Sequence, residues 1–170
     1  LLFSLMTIVA ALRRAGFFSG LFCHLFQKPM NSRRMGQVFL FLSFFTSMVF
    51  TNDVSLIIFV PLAISLFKEA HALRLVIPVL TWMTIAANLG SMLTPIGNPQ
   101  NLFIYAHYHL PLAEFLSITA PITVLSAVLL LLASYTLEDR PLRLRFAKPS
   151  GIPRLRIALL LLLFALCLLN

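Results

Sequence analysis

QVFLFLSFFTSMVFTNDVSLIIFVPLAISLF, residues 37–67, decides how the rest of the chain is read. Its one charged residue is Asp53. As one continuous helix it would be about 46 Å long, well beyond the roughly 30 Å hydrocarbon core of a bilayer. Divided at Thr51-Asn52-Asp53, each arm reaches about 21 Å, and neither spans alone. Lys28, Arg33 and Arg34 precede the stretch, and Lys68 and Arg74 follow it. Basic residues on both flanks put both flanks in the cytoplasm. The expected solution is a re-entrant helical hairpin over 37–67, with its tip at 51–53 near mid-membrane. The alternative, a single crossing, would leave one basic flank outside. Non-helical backbone is tolerated at that depth only inside protein or against a watery cavity.

Working outward, the apolar run from Leu73 to Leu89 ends in Gly90-Ser91-Met92-Leu93-Thr94-Pro95-Ile96-Gly97-Asn98-Pro99-Gln100-Asn101. Two prolines and a glycine within five residues cannot continue an α-helix. Residues 73–108 are therefore expected to form a broken helix that crosses outward. His107 to Glu114 holds no Lys or Arg, which suits an outer loop. Residues 112–135 are long enough to return, at roughly 36 Å if helical. Tyr105 and Tyr108 fall at one boundary and Tyr135 at the other, where aromatic belts sit. Residues 136–156 form a basic cytoplasmic loop with Arg140, Arg143, Arg145, Lys148, Arg154 and Arg156. Residues 15–27, between two basic clusters, read as an amphipathic helix on the cytoplasmic interface. The apolar runs at the two ends, Leu1 to Leu12 and Leu155 to Asn170, are shorter than a span. Residues 157–170 are expected to start a further transmembrane helix, and the chain to be a fragment of a longer membrane protein.

Composition supports a membrane protein. Of 170 residues 60% are apolar and 11% charged, with mean hydropathy +0.97. A soluble domain is about 25% charged, so a soluble enzyme, a disordered chain and a nucleic-acid reader are excluded. The net charge of +8 is spread between apolar runs and reflects the positive-inside pattern rather than a nucleic-acid partner. Cys23 and Cys167 have neither disulfide nor zinc spacing and read as packed thiols. His24, His71, His107 and His109 show no ligand spacing and read as boundary residues. No cofactor is expected beyond a coupling ion.

The two interruptions carry the polar chemistry. A carboxylate at membrane depth costs about 2.5–3.5 kcal/mol even on insertion scales, which makes Asp53 a functional candidate. The competing explanation is a helix N-cap for the arm that starts there, and capping and ion binding can coexist. Thr51 and Asn52 offer side-chain oxygens and carbonyls to a cation. At the second interruption, a broken helix exposes carbonyls on one side, suited to a cation, and N–H groups on the other, suited to an anion. The alternative is a surface loop between two separate spans. Thr84, Ala87, Asn88 and Ser91 recur at i, i+3, i+4, i+7 and form a small polar stripe leading into the break, either site lining or close helix packing. Ser43, Thr46 and Ser47 make a similar stripe on the first hairpin arm. Asp53 and Asn98 are expected to face each other across a polar cavity that holds the coupling cation.

T-N-D-V-S-L-I-I-F-V-P-L, followed some 40 residues later by A-N-L-G-S-M-L-T-P-I-G-N-P-Q-N-L-F-I-Y, resembles the citrate-transporter-like permeases of the ion transporter superfamily. That group includes divalent anion:sodium symporters, arsenite permeases and sodium/proton antiporters. The resemblance covers most of the chain. It implies an all-α, polytopic membrane protein that is one half of an inverted-repeat transporter. Residues 1–135 would be the first repeat, and substrate and sodium would bind where hairpin tips meet helix breaks. Carried over, Thr51, Asn52 and Asp53 match the tip motif, and Gly97, Asn98, Pro99 and Asn101 match the break motif. The ion and substrate candidates are thus Thr51, Asn52, Asp53, Asn88, Thr94, Gly97, Asn98 and Asn101, with sodium at Asn52, Asp53 and Asn98. The resemblance also implies an inner-membrane homodimer in the lipid bilayer that takes a small anion as substrate. The tip departs from the Ser-Asn-Thr of dicarboxylate symporters, and its added charge suits a cation or proton better than a neighbouring dianion.

Three functions follow: a sodium- or proton-coupled anion permease, a cation/proton antiporter with Asp53 carrying the proton, or a non-transporting membrane subunit. An intramembrane aspartyl protease needs two apposed carboxylates, and Asp53 is the sole acidic residue inside an apolar run.

Overall fold

The computed structural model describes residues 30–142 continuously, together with Thr7, Ala11, Leu159 and Leu162. The expected interfacial helix at 15–27, the helix starting at 157, most of the basic loop, both cysteines and His24 lie outside the described residues. Among the described residues the fold is helical. A two-residue strand β1 (Met30–Asn31) leads into α1 (Ser32–Ser47), α2 (Asn52–Glu69), a 3-10 turn (Leu73–Leu75) and α3 (Val76–Ser91). Then follow α4 (Pro99–His107), α5 (Leu112–Ser134) and β2 (Pro141–Leu142), which pairs antiparallel with β1.

Each helix end has a local cause. Thr, Asn and Asp compete for backbone hydrogen bonds and favour caps over helix interiors. At 51–53 they stop α1 and start α2. Thr51 is the N-cap, its hydroxyl accepting from the Val54 N–H at 3.4 Å. The Asn52 side-chain oxygen accepts from the Asp53 N–H at 3.0 Å. At the second interruption Asn98 caps α4 with Pro99 at its first position, where proline's missing N–H costs nothing. α2 and α4 each end on a histidine with left-handed backbone, His71 (φ 53°) and His109 (φ 49°). The bonds Ala72 N–H to Phe67 O and His71 N–H to Lys68 O, and Leu110 N–H to Tyr105 O and His109 N–H to Ala106 O, close both ends in the pattern usually built on glycine.

α1 and α3 form the centre, each packed against the other and against α2 and α5. α1 starts at Ser32 rather than Gln37, so Arg33 and Arg34 belong to its first turn, and α2 runs on through Lys68 and Glu69. Their flexible stems let charged heads reach a polar interface from a helix end. Leu40, Phe44, Ala86 and Leu130 form a buried core where α1, α3 and α5 meet, flanked by Phe41, Met48, Trp82, Leu89 and Ala127. α1 and α3 approach closely at Gly90. A Cβ there would stand 2.1 Å from the Phe44 carbonyl oxygen and 2.6 Å from Ser47 Oγ. Small residues permit such close helix contact in membranes. α5 buries a narrow stripe of Phe115, Thr123, Ser126, Leu130 and Ser134 and exposes Ile118, Ile122, Val124, Leu125, Val128, Leu129 and Leu132.

The chain's path orders the two ends. Gln37 Nε2 donates to Ser134 Oγ, so the start of α1 lies beside the end of α5. The turn between α2 and α3 joins them: a cleft there is lined by Ser32, Arg74 and Glu138 together. At the other end, Thr119 Oγ1 donates to the Leu93 carbonyl in the break after α3. Fifteen residues separate Thr119 from Ser134, about 22 Å of helix, and α5 continues about 10 Å beyond Thr119 to Leu112. Among the described residues, two helices are long and apolar enough to cross a membrane, Leu73–Ser91 and Leu112–Ser134.

Candidate functional site

The turn at 48–51 and the break at 92–98 meet. The Asn52 backbone N–H donates to the Gly97 carbonyl at 3.2 Å. Thr94 Oγ1 donates to the Met48 carbonyl. Asn52 Nδ2 reaches Asn88 Oδ1 on α3 at 3.0 Å. Of the eight candidate residues, Asn52, Asn88, Thr94 and Gly97 thus join hairpin to broken helix directly.

The break satisfies most of its own stranded groups. Asn101 Nδ2 lies 3.2, 3.0 and 3.1 Å from the carbonyl oxygens of Ser91, Met92 and Thr94. One amide with two hydrogens thus holds three carbonyls released by the end of α3. The fourth, Leu93 O, takes the Thr119 hydroxyl. Asn98 uses both side-chain polar atoms. Its oxygen accepts from the Asn101 N–H at 2.8 Å, and its nitrogen reaches Ser91 O and Ser91 Oγ at 3.3 and 3.2 Å. Gly97 is buried, and a Cβ on it would sit 2.1 Å from Ser91 O. Its carbonyl can therefore face the hairpin only because nothing larger stands there.

Asn98 and Asn101 are therefore built into the break as its internal braces. Among the described residues no hydrogen bond or ion pair joins Asp53 to Asn98. Asp53 is exposed, and its carboxylate has no hydrogen-bond or ion-pair partner among the described residues. Nor does it cap α2; Thr51 does. A first-turn carboxylate is still favoured by the N-terminal end of the helix dipole. The stripe on α3 divides by face. Ala87 and Ser91 are buried, while Thr84 and Asn88 are exposed. Thr84 donates to Leu80 O and Asn88 Nδ2 to Thr84 O, which leaves Asn88 Oδ1 to receive Asn52. Asn52 and Asn88 thus meet at the open side of the joint, and the exposed Asp53 follows Asn52 in sequence.

The stripe on α1 has a different use. Thr46 Oγ1 and Ser55 Oγ are 2.8 Å apart, Ser55 Oγ donates to Ser43 O, and Ser47 Oγ donates to Phe44 O. The Thr46–Ser55 and Ser55–Ser43 bonds tie α1 to α2 just below the turn, while that of Ser47 stays within α1. Ser43 Oγ is buried without a partner among the described residues. Sequence reading passed over Thr119 and Gly90. The signal for Thr119 was a Thr119–Thr123–Ser126 line on an otherwise apolar helix. Gly90 offered only its place within such a helix.

Comparison with known proteins places the chain in a family. The family described as "Citrate transporter" matches residues 1–169. An uncharacterized transporter of Methanocaldococcus jannaschii is 33% identical over 137 residues, 76% of this chain and 36% of that protein. Inner membrane protein YbiR of Escherichia coli is 35% identical over 130 residues, covering 75% of this chain and 34% of YbiR. The silicon efflux transporter LSI3 of Oryza sativa subsp. japonica is 31% identical over 116 residues, 68% and 24% of the two chains. The chain thus spans about a third of the length of the first two relatives. No solved structure matches it significantly.

Proposed function

The chain belongs to the citrate transporter family, and from that premise we propose that the protein is a secondary active transporter of a small anion, driven by sodium ions or protons. Its coupling-ion site is centred on Asp53, Asn52 and Asn88. The relatives are transporters rather than enzymes, and residues 1–135 act as the first of two transporter repeats in a multi-pass inner-membrane protein.

The observation that carries this reading is the joint itself. Hairpin turn and helix break are held together by neutral groups, and one carboxylate is left over. α5 supplies a ruler for its depth, because Thr119 contacts the break about 22 Å from the basic end of that helix. If α5 spans, the hairpin turns back roughly 10 Å short of the far side, which makes α1 and α2 re-entrant. Arg33, Arg34, Lys68, Arg74 and Arg140 all belong to the opposite end, which the positive-inside rule places in the cytoplasm. A carboxylate at the level of the joint must be paired, protonated or bound to a cation. The side-chain oxygens of Asn52 and Asn88 each hold one hydrogen bond and keep a second lone pair for that cation.

A second reading has two observations in its favour. Asp53 places a full negative charge at the tip, where a dianion would be repelled, and one relative is named as a silicon efflux transporter. Proton-driven export of a weak oxyacid, with Asp53 carrying the proton, satisfies both. Proteoliposomes holding the natural protein should be given citrate, arsenite and silicic acid in turn, under a sodium gradient and then under a pH gradient. Citrate uptake that follows sodium supports the first reading. Movement of arsenite or silicic acid that follows protons supports the second. No gradient-dependent movement of any of the three would contradict both.

A further inference from the structure

The basic end holds two adjoining clefts of about 190 and 160 Å³. Arg74, Leu75 and Glu138 line both. The first is completed on its apolar side by Pro78 and Val79 of α3, and the second by His71 and Arg140. Arg140 is paired with Glu138, whereas Arg74 has no acidic partner among the described residues. The charges lining the clefts therefore sum to one uncompensated positive group at Arg74. These walls begin where α5 ends, a turn beyond the exposed Tyr135.

We propose that this double cleft binds the phosphate group of an anionic phospholipid in the leaflet at the basic end. A guanidinium presents a fork of donors suited to phosphate oxygens. Basic pockets between membrane helices at this level meet lipid phosphates at high local concentration. The apolar wall of Leu75, Pro78 and Val79 runs up α3 beside Arg74 and suits the glycerol and first acyl carbons, a feature of no use to free phosphate. Ser32 and Glu138 tie α1 to the segment after α5, with Ser32 Oγ donating to Glu138 O at 2.6 Å. A lipid seated here therefore rests against the clasp that holds the bundle's basic end together. The proposal depends on α5 crossing the membrane and not on the identity of the cargo.

The test uses the protein purified into nanodiscs of equal phosphatidylglycerol and phosphatidylcholine, with retained lipid counted by native mass spectrometry. The wild type should retain phosphatidylglycerol in preference. Arg74→Gln should weaken that preference about fivefold, the equivalent of about 1 kcal/mol for one basic group near a membrane surface. Arg34→Gln, which removes the same charge from an exposed α1 position lining neither cleft, should leave it intact. Glu138→Gln removes the one carboxylate in the clefts and should strengthen retention, a check that survives if Arg74→Gln fails to fold. Equal losses in the two arginine variants, no lipid preference in the wild type, or no gain in Glu138→Gln would overturn the proposal. Millimolar inorganic phosphate should not displace the lipid. Displacement that depends on Arg74 would assign the cleft to soluble phosphate and overturn the lipid assignment.

Discussion

At the joint of hairpin and break, Asn52, Gly97, Thr94, Asn98 and Asn101 connect helices through neutral hydrogen bonds. At the basic end, α1 is joined to the segment after α5 with the help of charges. Arg33 donates through Nε to Leu137 O at 2.9 Å and pairs with Asp139 at 3.3 Å, and Arg140 pairs with Glu138. Both ends repair the same defect, backbone groups stranded where helices stop. The difference follows from solvent. Charges at an interface are cheap, whereas each one at membrane depth costs about 2.5–3.5 kcal/mol or more. With the proposed topology, which puts the joint at membrane depth, it is accordingly built from amides, hydroxyls and backbone. Asp53 is the exception, and an exception of that cost points to function.

If the deep joint depends on close backbone approach, its glycines are its weakest points. Gly90→Ala should have the largest effect, since the added Cβ would meet the Phe44 carbonyl at 2.1 Å and must push α1 away from α3. A loss of about 2–3 kcal/mol or more is expected, read as a lower midpoint in thermal unfolding in detergent. An unchanged midpoint would mean that α1 and α3 are farther apart than described.

Asn101→Ala comes next. It removes the amide shared by three carbonyls, and leaving such groups unsatisfied costs about 1–3 kcal/mol. The same melting measurement applies, joined by hydrogen exchange at 92–98, which should quicken in the variant. Arg33→Gln should have the smallest effect. Its ion pair is partly exposed, at 30% and 37% side-chain exposure, and such pairs contribute under about 1 kcal/mol, shrinking with salt. A loss as large as that of Asn101→Ala, unaffected by salt, would erase the contrast between the two ends.

The helix interruptions were legible in the sequence because their causes are local. Thr-Asn-Asp favours caps, and Thr-Pro-Ile-Gly-Asn-Pro cannot continue a helix. The basic flanks on 37–67 were equally readable, and the turn between α2 and α3 does stand beside the start of α1 and the end of α5. What sequence could not supply was the identity of each partner. It marks which polar groups are stranded, and it leaves open whether an ion or a side chain receives them. The sequence makes Asn98 a candidate cation ligand because carbonyls should point inward beside it; in the fold its own amide and that of Asn101 reach those carbonyls. Gly90 is one glycine in an apolar helix until α1 is laid against it. Asn52 and Asn88 lie 36 residues apart, and only the fold brings them into contact.

That leaves Asp53, whose exposed carboxylate at the joint has no hydrogen-bond or ion-pair partner among the described residues. Asp53→Asn keeps the size of the side chain, the Thr51 cap and the Asn52 turn, and removes only the charge. The deciding measurement is gradient-driven transport by the wild type and by Asp53→Asn in proteoliposomes, across a range of sodium concentrations and pH, at matched protein levels and matched thermal midpoints. The wild type should show a cation or proton dependence that the variant loses or shows only at much higher concentration. Transport in Asp53→Asn with the same dependence on sodium and pH as the wild type would contradict the assignment of the coupling-ion site to Asp53.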